Sequence, residues 1–214
     1  MNRLRILVLL LSGSAMSMSA AAADTTALDG YLAGLSTWSA DFTQTVVDAK
    51  GKSAGGGSGK LLIVRPGKFR WESAPDGADG SAQLLIADGR NLWSLDRDLD
   101  QATVKPQADV LPQSPAMLLA GGAELRSAFN VQANGRRDGL DWVRAQPRDA
   151  ASDFREAQFG FKGRELARLV VIDKLGQRST LTFTKVQRNA PVAPAMTEFQ
   201  LPQGVDLIGK PVPP

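Results

Sequence analysis

The run Arg65-Pro66-Gly67-Lys68-Phe69-Arg70-Trp71-Glu72 places a permanent cation beside a proline, between two patterned apolar stretches. A guanidinium does not lose its proton and offers five donors in a rigid fork, while the proline ring fixes the backbone next to it. Such a group has two uses here. It can end a strand in water, or it can turn to the inner side of a sheet and donate to carbonyls left open at a helix end. Spacing alone favours the first reading, a solvated arginine at a strand end, and keeps the second as the alternative.

Other chemistry is scarce. With no histidine and no cysteine, the chain lacks a Ser-His-Asp set, imidazole or thiolate metal ligands, and thiol nucleophiles. Asp96, Asp98 and Asp100 have the spacing of a calcium loop but not its central glycine or closing glutamate. Gly55-Gly56-Gly57-Ser58-Gly59 matches the hydrolase elbow by letters only, with no helix pattern after it, and Gly51 to Gly59 lacks the Gly-Lys-Ser/Thr ending of a phosphate loop. We therefore expect no enzyme, no metal and no cofactor, and we read Gly51 to Gly59 as a flexible hairpin connection.

The elements around Arg65 are mostly strands. Leu28, Tyr31, Leu32 and Leu35 recur at helical spacing, which predicts an amphipathic helix over Asp24 to Thr37 with Asp24 or Thr25 as its N-cap. From Trp38 the period changes to two, with Trp38, Ala40, Phe42, Gln44 and Val46 on one face. Short strands follow over 60–65, 68–73, 83–87, 91–95 and 100–105, with Asp88-Gly89 as a tight turn. Ser114-Pro115 reads as an N-cap with proline at the first helical position, leading into Ala116 to Ala120 and stopped by Gly121-Gly122. Strands resume over 129–133, 140–146, 154–161, 166–173, 177–187 and 198–201, and the tail from Lys210 to Pro214 reads as extended and mobile. About ten or eleven strands with two or three short helices predict one strongly curved antiparallel sheet, its concave face plugged by the helices. That apolar interior is either solid core or ligand cavity. Phe42 and Trp71 face it in both cases.

The first 23 residues have the pattern of a cleaved secretory signal. Arg3 and Arg5 form a basic start, Ile6 to Leu11 a short apolar run, and Ala21-Ala22-Ala23 a small-residue cleavage site before Asp24. Leu11-Ser12-Gly13-Ser14 resembles a bacterial lipoprotein box with serine at the lipid-bearing position, so we expect a soluble, monomeric mature protein forming one domain over 24–214. Without Arg3 and Arg5, 23 of the 25 cationic side chains face 22 carboxylates. That near-balance, with no clustered basic face, excludes nucleic acid as a partner.

Several stretches in order resemble the periplasmic outer-membrane lipoprotein carrier (LolA) family. They are Phe42-Thr43-Gln44; Gly59, Leu61, Ile63, Arg65-Pro66, Phe69 and Trp71 at the family spacing; Asp88-Gly89 with Leu92-Trp93; Asp100 to Thr103; Pro115 with Met117-Leu118; Gln177-Arg178-Ser179; and Phe199, Leu201-Pro202 and Gly204-Val205. The resemblance implies a mainly β fold, an incomplete β-barrel closed by an α-helical lid over an apolar cavity for acyl chains. It implies lipoproteins as cargo, an inner-membrane ATP-driven complex that loads the carrier, and an outer-membrane-anchored acceptor that unloads it. Arg65 falls on the arginine that ties the lid shut in this family, and Leu32, Leu119 and Leu169 fall on cavity or lid positions. The family's acceptor carries a lipid-bearing cysteine where this chain has Ser14. An alternative reading is a periplasmic lipid- or lipoprotein-sensing regulatory module of the same half-barrel, a class that usually adds a second domain. A lipid hydrolase lacks any nucleophile with a base.

Overall fold

The computed structural model describes residues 26–77, 83–110, 119–120, 125–152 and 154–213. The expected export segment, the Ser114-Pro115 cap and Gly121-Gly122 lie outside the described residues. Helix α1 spans Ala27–Leu32. Its cap is Thr26, whose hydroxyl accepts from the Asp29 amide while the Asp29 carboxylate accepts from the Thr26 amide at 2.8 Å. The predicted helix is thus too long. Gly34, at φ +68°, turns the chain, and strand β1 (Thr37–Val47) begins where the helical spacing had been extended. Leu28, Tyr31, Leu32 and Leu35 are nonetheless all buried.

After β1 come β2 (Ser53–Val64), β3 (Lys68–Pro75), β4 (Gln83–Ala87), β5 (Asn91–Asp96) and β6 (Gln101–Pro106). Two one-turn helices follow, α2 (Gln107–Val110) and α3 (Leu125–Ala128), with the helical pair Leu119 and Ala120 between them. The return runs through β7 (Phe129–Arg137), β8 (Leu140–Pro147), β9 (Phe154–Lys162), β10 (Glu165–Asp173) and β11 (Arg178–Arg188) to a short β12 (Asp206–Ile208). All twelve strands form one sheet in the order β12-β6-β5-β4-β3-β2-β1-β11-β10-β9-β8-β7. It is a single curved sheet that does not close, antiparallel except for the β12–β6 pair.

This order forces a lid. Six strands lead outward from β1 to β6, and the chain then re-enters at β7, the opposite edge. Of the connection from β6 to β7, the described pair Leu119 and Ala120 lies on the concave side of the sheet. Leu119 and Ala120, at 1% and 0% exposure, sit there with α1 in one apolar cluster with Trp38, Phe42, Leu61, Ile63, Phe159, Leu169 and Leu181.

The glycine-rich segment is a strand rather than the expected loop. The turn before it is Asp48 to Lys52, where the Asp48 carboxylate accepts from the Lys50 and Lys52 amides at 2.9 Å each. Gly57 and Gly59 then pair within β2 against β3. A Cβ on Gly57 would lie 2.5 Å from the Ala74 carbonyl oxygen, and one on Gly59 would strike the Glu72 carbonyl and come within 2.7 Å of the Phe42 ring. The C-terminal end also departs from expectation. Residues 198–201 form no strand; they follow a 3-10 turn at Pro194–Thr197. Phe199 stacks on Trp93 at 4.7 Å, and Phe199 and Val205 cover an outer cluster of Leu84, Ile86, Leu95 and Ala102. The tail is extended but held: the Val212 amide donates to the Asn91 side chain at 2.7 Å, and the Asn91 amide group returns a bond to the Val212 carbonyl at 3.1 Å.

Two glycine-to-alanine substitutions should therefore move stability in opposite directions. Gly59→Ala meets backbone that cannot yield and should cost about 1–3 kcal/mol. Gly30→Ala, in α1 with nothing within 4 Å of its Cβ, should add up to about 1 kcal/mol. Urea unfolding midpoints of the two variants check this.

Candidate functional site

Phe42, Trp71, Leu32, Leu119 and Leu169 come from five separate parts of the sequence and meet at one place. Phe42 is on β1, where odd–even alternation turns it inward beside Trp38 and Ala40. Trp71 is on β3, half-buried, its ring 4.4 Å from the Phe42 ring and tilted by 38°. Leu169 on β10 pairs between Phe159 and Leu181. Leu32 and Leu119 enter from the helical pieces, so the concave interior is packed by them in this state. A groove of about 390 Å³ runs between the outer sides of β1, β2 and β3 and the segment from Ala190 to Met196, lined by Asp41, Lys60, Arg70, Glu72 and Lys185 among others.

Arg65 stands at the end of β2, at the rim of this interior. Its Nη1 donates to the Leu32 carbonyl at 2.7 Å, and its backbone amide donates to Ser36 at 2.8 Å. Of the two readings of Arg65, the one that turns it to a helix-end carbonyl is the arrangement found. Burial lowers its pKa from the usual value, but an arginine stays protonated under such a shift. Two residues later the Gly67 amide donates to the Ala120 carbonyl at 2.8 Å. One turn therefore holds carbonyls of both helical pieces, a side-chain donor for α1 and a backbone donor for the central piece. Gly67 can do so because its φ is +71°, a conformation that glycine adopts without strain.

Sequence reasoning missed three members of this rim. Gln107, only 8% exposed, donates to the Gly67 carbonyl at 2.7 Å and accepts from the Gly89 amide at 3.0 Å, so it ties the β2–β3 and β4–β5 turns to the start of α2. Arg188, at the end of β11, donates to the Tyr31 carbonyl at 2.7 Å and lies 4.3 Å over the Tyr31 ring. Asn189 bonds the α1–β1 connection. Tyr31 in turn accepts from the Trp38 indole at 2.6 Å; burial raises its phenol pKa and that bond opposes the rise. A glutamine after a proline and an arginine at a strand end carry no motif, so only their distant partners reveal them.

The aspartates at 96–100 form a turn: the Asp96 carboxylate accepts from the Asp98 and Leu99 amides at 3.0 and 3.2 Å. Among the described residues no group of three or more His, Cys, Asp or Glu side chains is gathered around a metal position. No described helix is long and apolar enough to cross a membrane.

The family model for the outer membrane lipoprotein carrier protein LolA matches residues 33–200. An outer-membrane lipoprotein carrier protein of Chromobacterium violaceum is 39% identical over 181 residues, 85% of each chain. One of Bordetella avium is 33% identical over 207 residues, covering 97% of this chain and 96% of that one. The chain belongs to the LolA family. A solved structure of an uncharacterised conserved protein from Thermus thermophilus shares the fold, with a TM-score of 0.52 at 12% identity over 85% of this chain and 94% of that one.

Gln107 gives the rim a direct test. Gln107→Ala removes the partner of the half-buried Gly67 carbonyl and of the exposed Gly89 amide, at about 0.5–1.5 kcal/mol for each lost bond. Gln107→Glu keeps the acceptor for Gly89 but, when ionised, has no donor for Gly67. Its deficit should shrink as pH falls and the carboxyl gains a proton. Urea unfolding of both variants at neutral and mildly acidic pH measures this.

Proposed function

We propose that this member of the LolA family is a periplasmic carrier that shields the acyl chains of lipoproteins in the space now filled by α1 and the Leu119–Ala120 pair. In this reading residues 1–23 are its cleaved export signal and residues 24–214 one carrier domain. An inner-membrane ATP-driven release complex loads it, and an outer-membrane-anchored acceptor unloads it. The observation that carries the reading is the turn from Arg65 to Gly67, which holds a carbonyl of each helical piece above a shared apolar interior.

The energetics support a shield that must also let go. An acyl chain of about fifteen carbons carries on the order of 12 kcal/mol of membrane affinity, at about 0.8 kcal/mol per methylene. A lipoprotein needs that surface covered to cross water, and the cover must be displaceable at the far side. Burying the chains against Phe42, Trp71 and Leu169 supplies the cover. Reclosing of the helical pieces onto Arg65 and Gly67 supplies part of the drive for release. The sequence holds no nucleotide-binding motif, so loading draws on energy from the partner.

A two-step transfer assay tests the latch. Arg65→Leu removes a charged donor, an interaction of about 1.5–3 kcal/mol, and adds apolar surface at the rim. Both changes favour the open, lipid-accepting population. The variant should take up lipoprotein from inner-membrane vesicles at least as well as wild type, and hand it to purified acceptor poorly. Arg65→Lys should also hand over poorly, since a point charge does not reproduce the fork. An Arg65→Leu protein that loads poorly and hands over normally would make Arg65 a loading contact instead.

A further inference from the structure

We propose that Arg188 and Asn189 are positioning residues that retain α1 as a pivot when the Arg65–Gly67 turn lets go. The inference rests on the carrier reading above and adds a division of labour at the rim.

Two neighbouring carbonyls of α1 are taken by guanidinium groups from opposite flanks of β1. Leu32 is held by Arg65 at the end of β2, and Tyr31 by Arg188 at the end of β11. The two attachments differ in what else they touch. The Arg65–Gly67 turn also holds Ala120, and so binds α1 to the central piece. Among the described residues, the Arg188–Asn189 pair bonds α1, its connection to β1, and β1 itself. Arg188 stacks on the Tyr31 ring, whose hydroxyl is fixed by Trp38. The Asn189 side-chain oxygen accepts from the Ser36 amide at 2.9 Å and the Ser36 hydroxyl at 3.1 Å, and its nitrogen donates to the Gly34 carbonyl at 3.0 Å. The Asn189 amide adds a bond to the Thr37 carbonyl at 2.8 Å. These bonds grip the C-terminal end of α1 and the turn after it.

Loss of the Arg65–Gly67 bonds therefore frees the central piece from α1 and leaves the C-terminal end of α1 held by Arg188 and Asn189. A helix gripped at its C-terminus moves by tilting. Space for a tilt exists beside α1, toward the β9–β10 turn: a cleft of about 230 Å³ lined by Ala27, Gly30, Tyr31, Phe161, Gly163 and Arg188, among others. Gly30 contributes no side chain to it. Tilting withdraws Leu28 and Leu32 from the interior while α1 stays attached, so the lid can return once the cargo leaves.

The test uses the mature protein with Arg65→Leu, Arg188→Leu and Asn189→Gly; glycine keeps the φ of +55° at that last position without strain. Amide hydrogen exchange is read in α1, in residues 34–37, and in β9 and β10. In Arg65→Leu the α1 amides should stay within about threefold of wild type. In Arg188→Leu they should exchange at least about tenfold faster, the effect expected for losing one charged hydrogen bond, with β9 and β10 unchanged. Asn189→Gly should give a similar rise confined to residues 34–37. In the transfer assay Arg188→Leu should load and then hand over at least about fivefold less than wild type. Equal acceleration in α1, β9 and β10 would mean ordinary destabilisation and overturn the inference, as would unchanged α1 exchange or normal handover. A wild-type protein that takes up no lipoprotein would instead overturn the carrier reading, leaving the exchange result to decide the pivot.

Discussion

Short helices laid on a sheet carry more open carbonyls than they can satisfy, and that shortage organises this molecule. Helix α1 has six residues, so its last turn leaves carbonyls with no helical partner. Water cannot serve them all beside an apolar interior, and each buried group without a partner is costly. The donors come from the rim of the sheet: Arg188 for Tyr31, Arg65 for Leu32, Asn189 for Gly34, and the Gly67 amide for Ala120. A longer helix would leave the same end carbonyls open, but they would be a smaller share of its backbone.

The polar rim and the apolar interior then make different contributions to opening. In the proposed carrier, acyl chains replacing α1 and the Leu119 side chain would exchange apolar contacts for apolar contacts. The rim bonds have no such replacement, because an acyl chain neither donates nor accepts. In the proposed carrier the balance between open and closed states is thus set mainly at the rim, by a few charge-assisted bonds, while the interior sets capacity. This separation lets one arginine bias release without altering what the cavity can hold.

Much of the sheet could be read in advance, because period-two alternation is a local signal. Trp38, Ala40 and Phe42 point inward as their spacing predicts, and Asp88-Gly89 makes its turn, with the Asp88 carboxylate accepting from the Arg90 and Asn91 amides at 2.8 Å each. The failures have non-local causes. Gly57 and Gly59 look like a loop because their reason for being glycine lies across the sheet, in the Ala74 and Glu72 carbonyls and the Phe42 ring. The predicted helix ran past Leu32 because Leu35 keeps the spacing after Gly34 has turned the chain. Residues 198–201 alternate like a strand, yet Phe199 is used to stack on Trp93. Arg65 stood out through its setting beside Pro66. Gln107 and Arg188 did not, since their partners lie 40 and 157 positions away.

A carrier of the kind proposed, which would bind acyl chains inside, must also avoid binding them outside, and among the described residues two outer apolar clusters of this sheet are closed by the chain itself. Leu84 and Ile86 alternate with Leu85 and Ala87 along β4, so that strand is apolar on both faces. Its outer face is covered by Phe199 and Val205, and the tail beyond β12 is fastened by Asn91. Around β8 to β10 the outer cluster of Leu140, Trp142, Val170 and Ile172 closes on itself. There Gly160 leaves room for the Trp142 ring, which a Cβ would approach to 3.0 Å, and Arg137 lies 4.2 Å over that ring. Among the described residues the sheet therefore hides two outer apolar surfaces, and a third beneath helical pieces held by hydrogen bonds from the rim. The third is fastened by carbonyl bonds from Arg65 and Gly67, and in the proposed carrier it is there, on the concave side, that a lipid would enter.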